Sequence, residues 1–275
     1  MKNKDIFTFR DAEKQAGPVA FSTMLKPAGS ACNLDCHYCY YLDKAVQYGG
    51  KQAVMSDELL ELYVRQYIEA NDVDTVQFCW HGGEPLLLGV DFYRRAMDFQ
   101  QKYADGKRIE NTLQTNGTLV DEAWCDLFAG NNFLVGISLD GPQDIHDALR
   151  LTKGGRPTFE RVMQTIGMFQ RSGVEYNTLS VVNRLCEGRG GEIYRFFRDT
   201  VHSRYMQFLP AVEHVVDKPG FHRPLIVSPE REGARLAEWS VTAEGYGQFL
   251  CDVFDEWVVS DVGRCYVQLF DATLA

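Results

Sequence analysis

The sequence contains no stretch near the roughly 18 uninterrupted apolar residues that a membrane helix needs. Its N-terminus (MKNKDIFTFRDAEKQ) has no apolar core and no small-residue cleavage site, so it does not read as a signal peptide. Basic charge is scarce as well: 28 Lys and Arg stand against 38 Asp and Glu, for a net charge of −10. A general nucleic-acid binder needs phosphate-neutralising surface, and this balance argues against one. Eight cysteines in 275 residues fall far below the density of a disulfide scaffold. What is present is ordinary globular material, 45% hydrophobic and 24% charged, which excludes disorder and fibre. The length suits one large domain or two small ones with a sizeable core, and a cytoplasmic location is expected.

The coarse pattern alternates strands and helices. Val19 to Leu25 reads as a strand, and Ser56 caps a helix whose apolar spacing runs through Leu59, Leu62, Tyr63 and Ile68. A strand over Thr75 to Trp80 then runs into Gly82-Gly83, with Tyr67, Phe78 and Trp80 as core residues. The alternation continues with a helix about 91–104, a strand about 109–115, a helix about 121–130 and a strand over Leu134 to Leu139. After these come a helix about 158–172, a strand over Tyr176 to Val182, a helix about 191–200 and a strand over Tyr205 to Leu209. Six such units predict an α/β fold with a parallel sheet. Polar and glycine-rich residues gather at the carboxyl ends of the strands, the edge where ligands bind in such folds.

Pro219, Pro224 and Pro229 interrupt the pattern between Ala211 and Ser240, which reads as a long loop. A helix about 244–259 and a strand-like stretch from Tyr266 to Phe270 close the chain, which reads as cut before its natural end. The expected organisation is a lead-in over 1–18, a core over 19–212, a linker over 213–242 and the start of an extension over 243–275.

Five cysteines (Cys79, Cys125, Cys186, Cys251, Cys265) lie singly among apolar neighbours and read as small buried hydrophobes. The other three, Cys32, Cys36 and Cys39, fall within eight residues directly after the first strand. On a short loop they can converge on one centre. A structural zinc needs a fourth ligand, and His37 points poorly for a metal shared with Cys36. An iron–sulfur cluster held by three cysteines leaves one iron open for a small molecule. The missing fourth ligand favours the cluster, while a structural zinc module stays as the alternative from another class.

The spacing CxxxCxxC, with Tyr38 before the last cysteine, resembles the signature of the radical S-adenosylmethionine (SAM) superfamily. His81-Gly82-Gly83-Glu84-Pro85 resembles that superfamily's Gly-Gly-Glu segment. Leu113 to Thr118, Ser138-Leu139-Asp140-Gly141-Pro142 and Ile145-His146-Asp147 stand in the expected order. Together these motifs resemble the anaerobic sulfatase-maturating enzymes, a group with a cysteine-rich C-terminal (SPASM) extension. The resemblance implies a partial (β/α)6 barrel of the TIM type.

It also implies a [4Fe-4S] cluster on Cys32, Cys36 and Cys39, and S-adenosylmethionine (AdoMet) bound by Tyr38, His81, Gly82, Gly83, Glu84, Asn116, Ser138 and Arg150. Tyr41 would lie near the substrate, and His81 stands where some relatives carry Gln. The implied reaction cleaves AdoMet to a 5′-deoxyadenosyl radical, which oxidises a Cys or Ser of a sulfatase to formylglycine. The implied partners are the sulfatase polypeptide and a reductase, flavodoxin or ferredoxin as electron donor. The family's general base and auxiliary clusters belong to the extension, and Cys251 and Cys265 lack the spacing to replace them. This chain is therefore expected to cleave AdoMet without maturing a sulfatase. Relatives that crosslink or epimerise other peptides share the same core motifs and remain a second reading of the target.

Overall fold

A computed structural model describes residues 20–41, 54–217 and 224–274, with positions 10 and 44. The expected lead-in and Val19 lie outside these residues, apart from Arg10. Seven strands form one parallel sheet. In sheet order they are β1 (Met24–Leu25), β2 (Thr75–Trp80), β3 (Arg108–Thr115), β4 (Phe133–Ser138), β5 (Glu175–Val182), β6 (Tyr205–Pro210) and a last strand, β10 (Tyr266–Val267). β1 and β10 are its two edges, so the barrel is open. Parallel neighbours need crossovers, and helices supply them: α1 (Asp57–Ala70), α2 (Val90–Tyr103), α3 (Glu122–Gly130), α4 (Gln143–Leu149), α5 (Phe159–Ser172) and α6 (Gly190–Arg195).

Local chemistry explains most of the boundaries. Ser56 accepts from Leu59 N and Asp121 accepts from Trp124 N, each satisfying a donor that the first turn leaves open. Asp147 accepts from the backbone N of both Thr158 and Phe159, so the start of α5 is capped by a carboxylate from the preceding element. Gly173 ends α5 in the left-handed conformation at φ 71°. Inward residues of the sheet, among them Val76, Phe78, Trp80, Val135 and Ile137, are buried against the helices in one continuous core.

The structure corrects several expectations. The first strand pairs only at Met24–Leu25. Just upstream, Phe21 N donates to Asn71 Oδ1 and Phe21 O accepts from Tyr67 Oη, so side chains of α1 and of the residue that caps its end take the place of a ladder. The buried face of α1 is Leu60, Val64, Tyr67 and Ile68, while Leu59 and Leu62 face solvent. α4 was not anticipated. The helix expected over 191–200 is α6 followed by a π-helical turn at Phe196–Thr200.

The segment read as a linker carries three short strands, β7 (His214–Val216), β8 (Leu225–Val227) and β9 (Arg235–Leu236), paired antiparallel in the order β8-β7-β9. The stretch from Tyr266 to Phe270 is strand only in β10 and then turns into α8 (Gln268–Leu274). Residues from 243 onward add to the main sheet and its core. α7 (Ala243–Ser260) buries Phe249, Val253 and Trp257 in the same core, and β10 pairs with β6. Of the scattered cysteines, Cys125, Cys186 and Cys265 are buried as expected, whereas Cys79 is half-buried and Cys251 is exposed. Among the described residues no helix is long and apolar enough to cross a membrane.

Candidate active site

The loops that follow the sheet's strands enclose a cavity of about 280 Å³. Cys32, Cys36 and Cys39 line it together with Tyr38, Tyr41, His81, Gly82, Gly83, Asn116, Ser138 and Arg150. Every residue expected to hold the cluster, AdoMet or the substrate is thus brought to one place except Glu84, which is fully buried and off the wall.

The cysteine loop is held on two sides by backbone. Asp35 N donates to Leu151 O and His37 N to Leu149 O, while Leu34 bridges Thr152. On the other side Gly83 N donates to Gly29 O and Glu84 N to Ala31 O. A Cβ on Gly83 would come within 2.1 Å of Ala31 O, and Gly82 adopts φ 138° with its Cβ position 3.0 Å from Gly29 O. The glycine pair therefore serves first to let the β2 loop and the cysteine loop touch backbone to backbone.

Glu84 explains why that contact is firm. Its fully buried carboxylate accepts from Leu86 N and Thr115 Oγ1 through Oε1, and from Asn116 N through Oε2. Burial pushes it up to about 7, against the pull of those three donors. It caps the short 3₁₀ turn Pro85–Leu88 and ties the β2 loop to the end of β3. Asn116 in turn donates to Asn33 Oδ1 at 2.9 Å and to Cys32 Sγ at 3.7 Å. Both side chains expected to bind AdoMet thus spend their bonds on the framework of the site. Ser138 Oγ accepts from Gln114 Nε2, and Gly136 leaves the room for that glutamine, since a Cβ there would meet Gln114 Oε1 at 2.0 Å.

Beside Cys36 lies a buried charged group. Asp140 Oδ2 accepts from Tyr38 Oη at 2.5 Å and pairs with Arg150 Nε at 3.0 Å, and the guanidinium sits 5.3 Å from the centre of the Tyr38 ring. Arg150 therefore has a protein carboxylate as its ion-pair partner, where the sequence suggested a ligand. Burial pushes the Cys32 thiol up to about 11 and the Cys36 thiol up to about 12, with Arg150 pulling Cys36 the other way. Tyr41, another lining residue, is buried. Its ring lies tilted against that of Tyr40 with centres 4.4 Å apart, and the ammonium of Lys26 lies 4.8 Å from its centre. His81 Nδ1 accepts from Gly82 N, and burial lowers the imidazole from its ordinary value.

The donor set bears on what the loop can hold. Among the described residues no three His, Cys, Asp or Glu side chains are grouped closely enough for a single metal ion. A structural zinc requires such grouping, whereas a cluster takes each thiolate at a different iron corner. The three-thiol loop beside a cavity fits the cluster with one open corner. Sequence reasoning missed Gln114, Tyr40, Leu179, Val181, Leu209, Pro210, Ala211 and Glu213 on the cavity wall. Gln114, Val181, Leu209, Pro210 and Ala211 stand within one residue of the end of a strand, so the carboxyl-edge rule applied to β3, β5 and β6 would have found them; Leu179 lies deeper in β5, and Tyr40 and Glu213 carried no signal.

A parallel sheet with a three-cysteine loop at its carboxyl edge defines a class, and the family profile that matches residues 27–186 is that of the radical SAM superfamily. The chain belongs to this superfamily. It is 47% identical over 253 residues to the serine-type anaerobic sulfatase-maturating enzyme of Bacteroides thetaiotaomicron, covering 92% of this chain and 61% of that protein. It is 33% identical over 257 residues to the cysteine-type enzyme of Clostridium perfringens, covering 92% of this chain and 65% of that protein. The structure of anSMEcpe with bound AdoMet and Kp18Cys peptide superposes with a TM-score of 0.78 at 32% identity, over 92% of this chain and 65% of that one. Streptococcus suis SuiB shares the fold at a TM-score of 0.60 and 14% identity, over 91% of this chain and 49% of that one. The chain thus spans about three fifths of the length of the sulfatase-maturating relatives.

Proposed function

We propose that this chain is the core of a sulfatase-maturating radical enzyme: Cys32, Cys36 and Cys39 hold a [4Fe-4S] cluster, and the cavity beside it binds AdoMet. The observation that carries the reading is the convergence of the three thiols, the Gly82-Gly83 edge and Arg150 on one cavity. When bound, the cluster and AdoMet supply the one-electron chemistry that yields a 5′-deoxyadenosyl radical and starts the oxidation of a Cys or Ser to formylglycine. The protein's own task is to bind, orient and exclude water. Arg150 and Ser138 present donors to a carboxylate, and the Gly82-Gly83 backbone offers an edge with no side chain in the way. Tyr41 and His81, which also line the cavity, are the side chains offered to the polypeptide in this account. Leu179, Val181 and Leu209 give the cavity the apolar wall that keeps a reactive radical from water. A sulfatase polypeptide as substrate and a flavodoxin or ferredoxin as electron donor belong to the same proposal. So does a reducing cytoplasmic location, which keeps ligand thiols reduced.

A deuterium-transfer experiment tests it. A sulfatase peptide deuterated at the β-carbon of its target Cys or Ser is incubated with the reduced, reconstituted chain and AdoMet. The account expects deuterium in the 5′-deoxyadenosine released; 5′-deoxyadenosine free of deuterium would overturn the choice of substrate.

A further inference from the structure

Asp140 stands in the motif after β4, yet it is fully buried and forms no part of the cavity wall. All its polar atoms are taken. Its N donates to His146 Nδ1 at 3.3 Å, and its O accepts from Ser180 Oγ at 3.0 Å. Its Oδ1 accepts from Val181 N at 3.0 Å, and Oδ2 holds both Tyr38 and Arg150. His146 is itself fixed: Thr158 Oγ1 donates to Arg150 O, so it accepts from His146 Nε2, leaving Nδ1 as the acceptor for Asp140. A carboxylate locked in this way cannot follow a ligand, and the two groups on its Oδ2 are two that do face the cavity.

We propose that Asp140 is a positioning residue, which aims the Tyr38 ring and the Arg150 guanidinium at the AdoMet that the cavity receives. The inference rests on the functional reading above. Tyr38 comes from the cysteine loop and Arg150 from the end of α4; His37 N to Leu149 O and Asp35 N to Leu151 O already join their backbones, and Asp140 is the anchor that their side chains share. Two roles for the aspartate predict opposite signs. If Asp140 only neutralised Arg150, removing its charge would leave a bare cation at the wall and tighten the binding of a ligand carboxylate. If it positions, removing it loosens both groups and weakens binding.

The test compares the wild-type chain with Asp140→Asn and Tyr38→Phe after anaerobic iron and sulfide reconstitution. Readouts are iron per chain, the AdoMet dissociation constant by equilibrium dialysis, and the shift of the reduced EPR signal on adding AdoMet. For Asp140→Asn we expect unchanged iron and roughly 10- to 100-fold weaker AdoMet, the usual cost of losing a supporting contact behind a site. Tyr38→Phe, which removes one hydroxyl and keeps the ring, should weaken AdoMet roughly 3- to 10-fold. Adding it to Asp140→Asn should cost nothing more, a non-additivity that a general loss of stability would not produce. Equal or tighter binding by Asp140→Asn, or additive losses, overturns the proposal. If Asp140→Asn fails to fold, unchanged affinity in Tyr38→Phe overturns it alone. A wild-type chain that takes up no iron, or takes up iron and ignores AdoMet, sinks the functional reading instead and the inference with it.

Discussion

Glu84 is the residue on which the most local structure hangs. Three donors converge on one buried carboxylate, so an amide cannot replace it: Glu84→Gln leaves one oxygen to accept and turns an NH2 toward a backbone N–H. The expected cost is about 1–3 kcal/mol in denaturant unfolding. Burial also gives the residue a pH signature, because its folded value is pushed up to about 7. Between the ordinary glutamate range and about 7 the folded chain keeps a proton that the unfolded chain has lost. This contribution to stability is whole in acid and falls as pH rises through that window, levelling off above it. Unfolding curves of the apo chain from mild acid to above neutrality should show the decline relative to Glu84→Gln, in which it is absent. A difference between the two that is flat in pH, or that grows as pH rises, contradicts the assignment.

At the scale of elements, the site is a set of loops fastened to one another rather than a set of side chains fastened to strands. Gly83→Ala drives a methyl into Ala31 O, backbone against backbone, so neither side can yield cheaply. It should therefore lower iron uptake during reconstitution as well as AdoMet affinity. Normal iron content with AdoMet affinity alone impaired would show that the glycine serves the ligand and not the loop. This is also where the sequence was read best and worst. The strand–helix alternation and the polar strand ends were legible because each strand from β2 to β6 is six to eight residues long, enough for its period to show. β7, β8 and β9 span two or three residues each, too short for any period, and were read as loop. The face of α1 was read correctly at Ile68 and Tyr63 and wrongly at Leu59 and Leu62, which are apolar yet exposed. Glu84 was legible as a helix-start carboxylate, and it caps the turn Pro85–Leu88; its bonds to Thr115 and Asn116, the Asn116–Asn33 bond and the Tyr38–Asp140 bond were invisible, since they join residues 31 to 102 positions apart.

The whole molecule has one main core that runs from the first helix to the last. Trp257 is fully buried in it, and its indole Nε1 donates to Cys265 O at 2.8 Å, joining α7 to the strand that ends the sheet. Trp257→Ala should cost roughly 3–5 kcal/mol, spread over the single unfolding transition of the protein. A separate early transition, with the remainder unchanged, would mean that residues 243–274 form a unit apart. The central claim is about the cavity at the other edge of that core, and one measurement addresses it most directly. The chain is reconstituted with iron and sulfide without oxygen, reduced, and its EPR spectrum recorded with and without AdoMet. The account predicts a reduced four-iron signal that shifts when AdoMet is added and is lost in Cys39→Ala. A colourless protein that retains zinc, or a cluster signal indifferent to AdoMet, would contradict it.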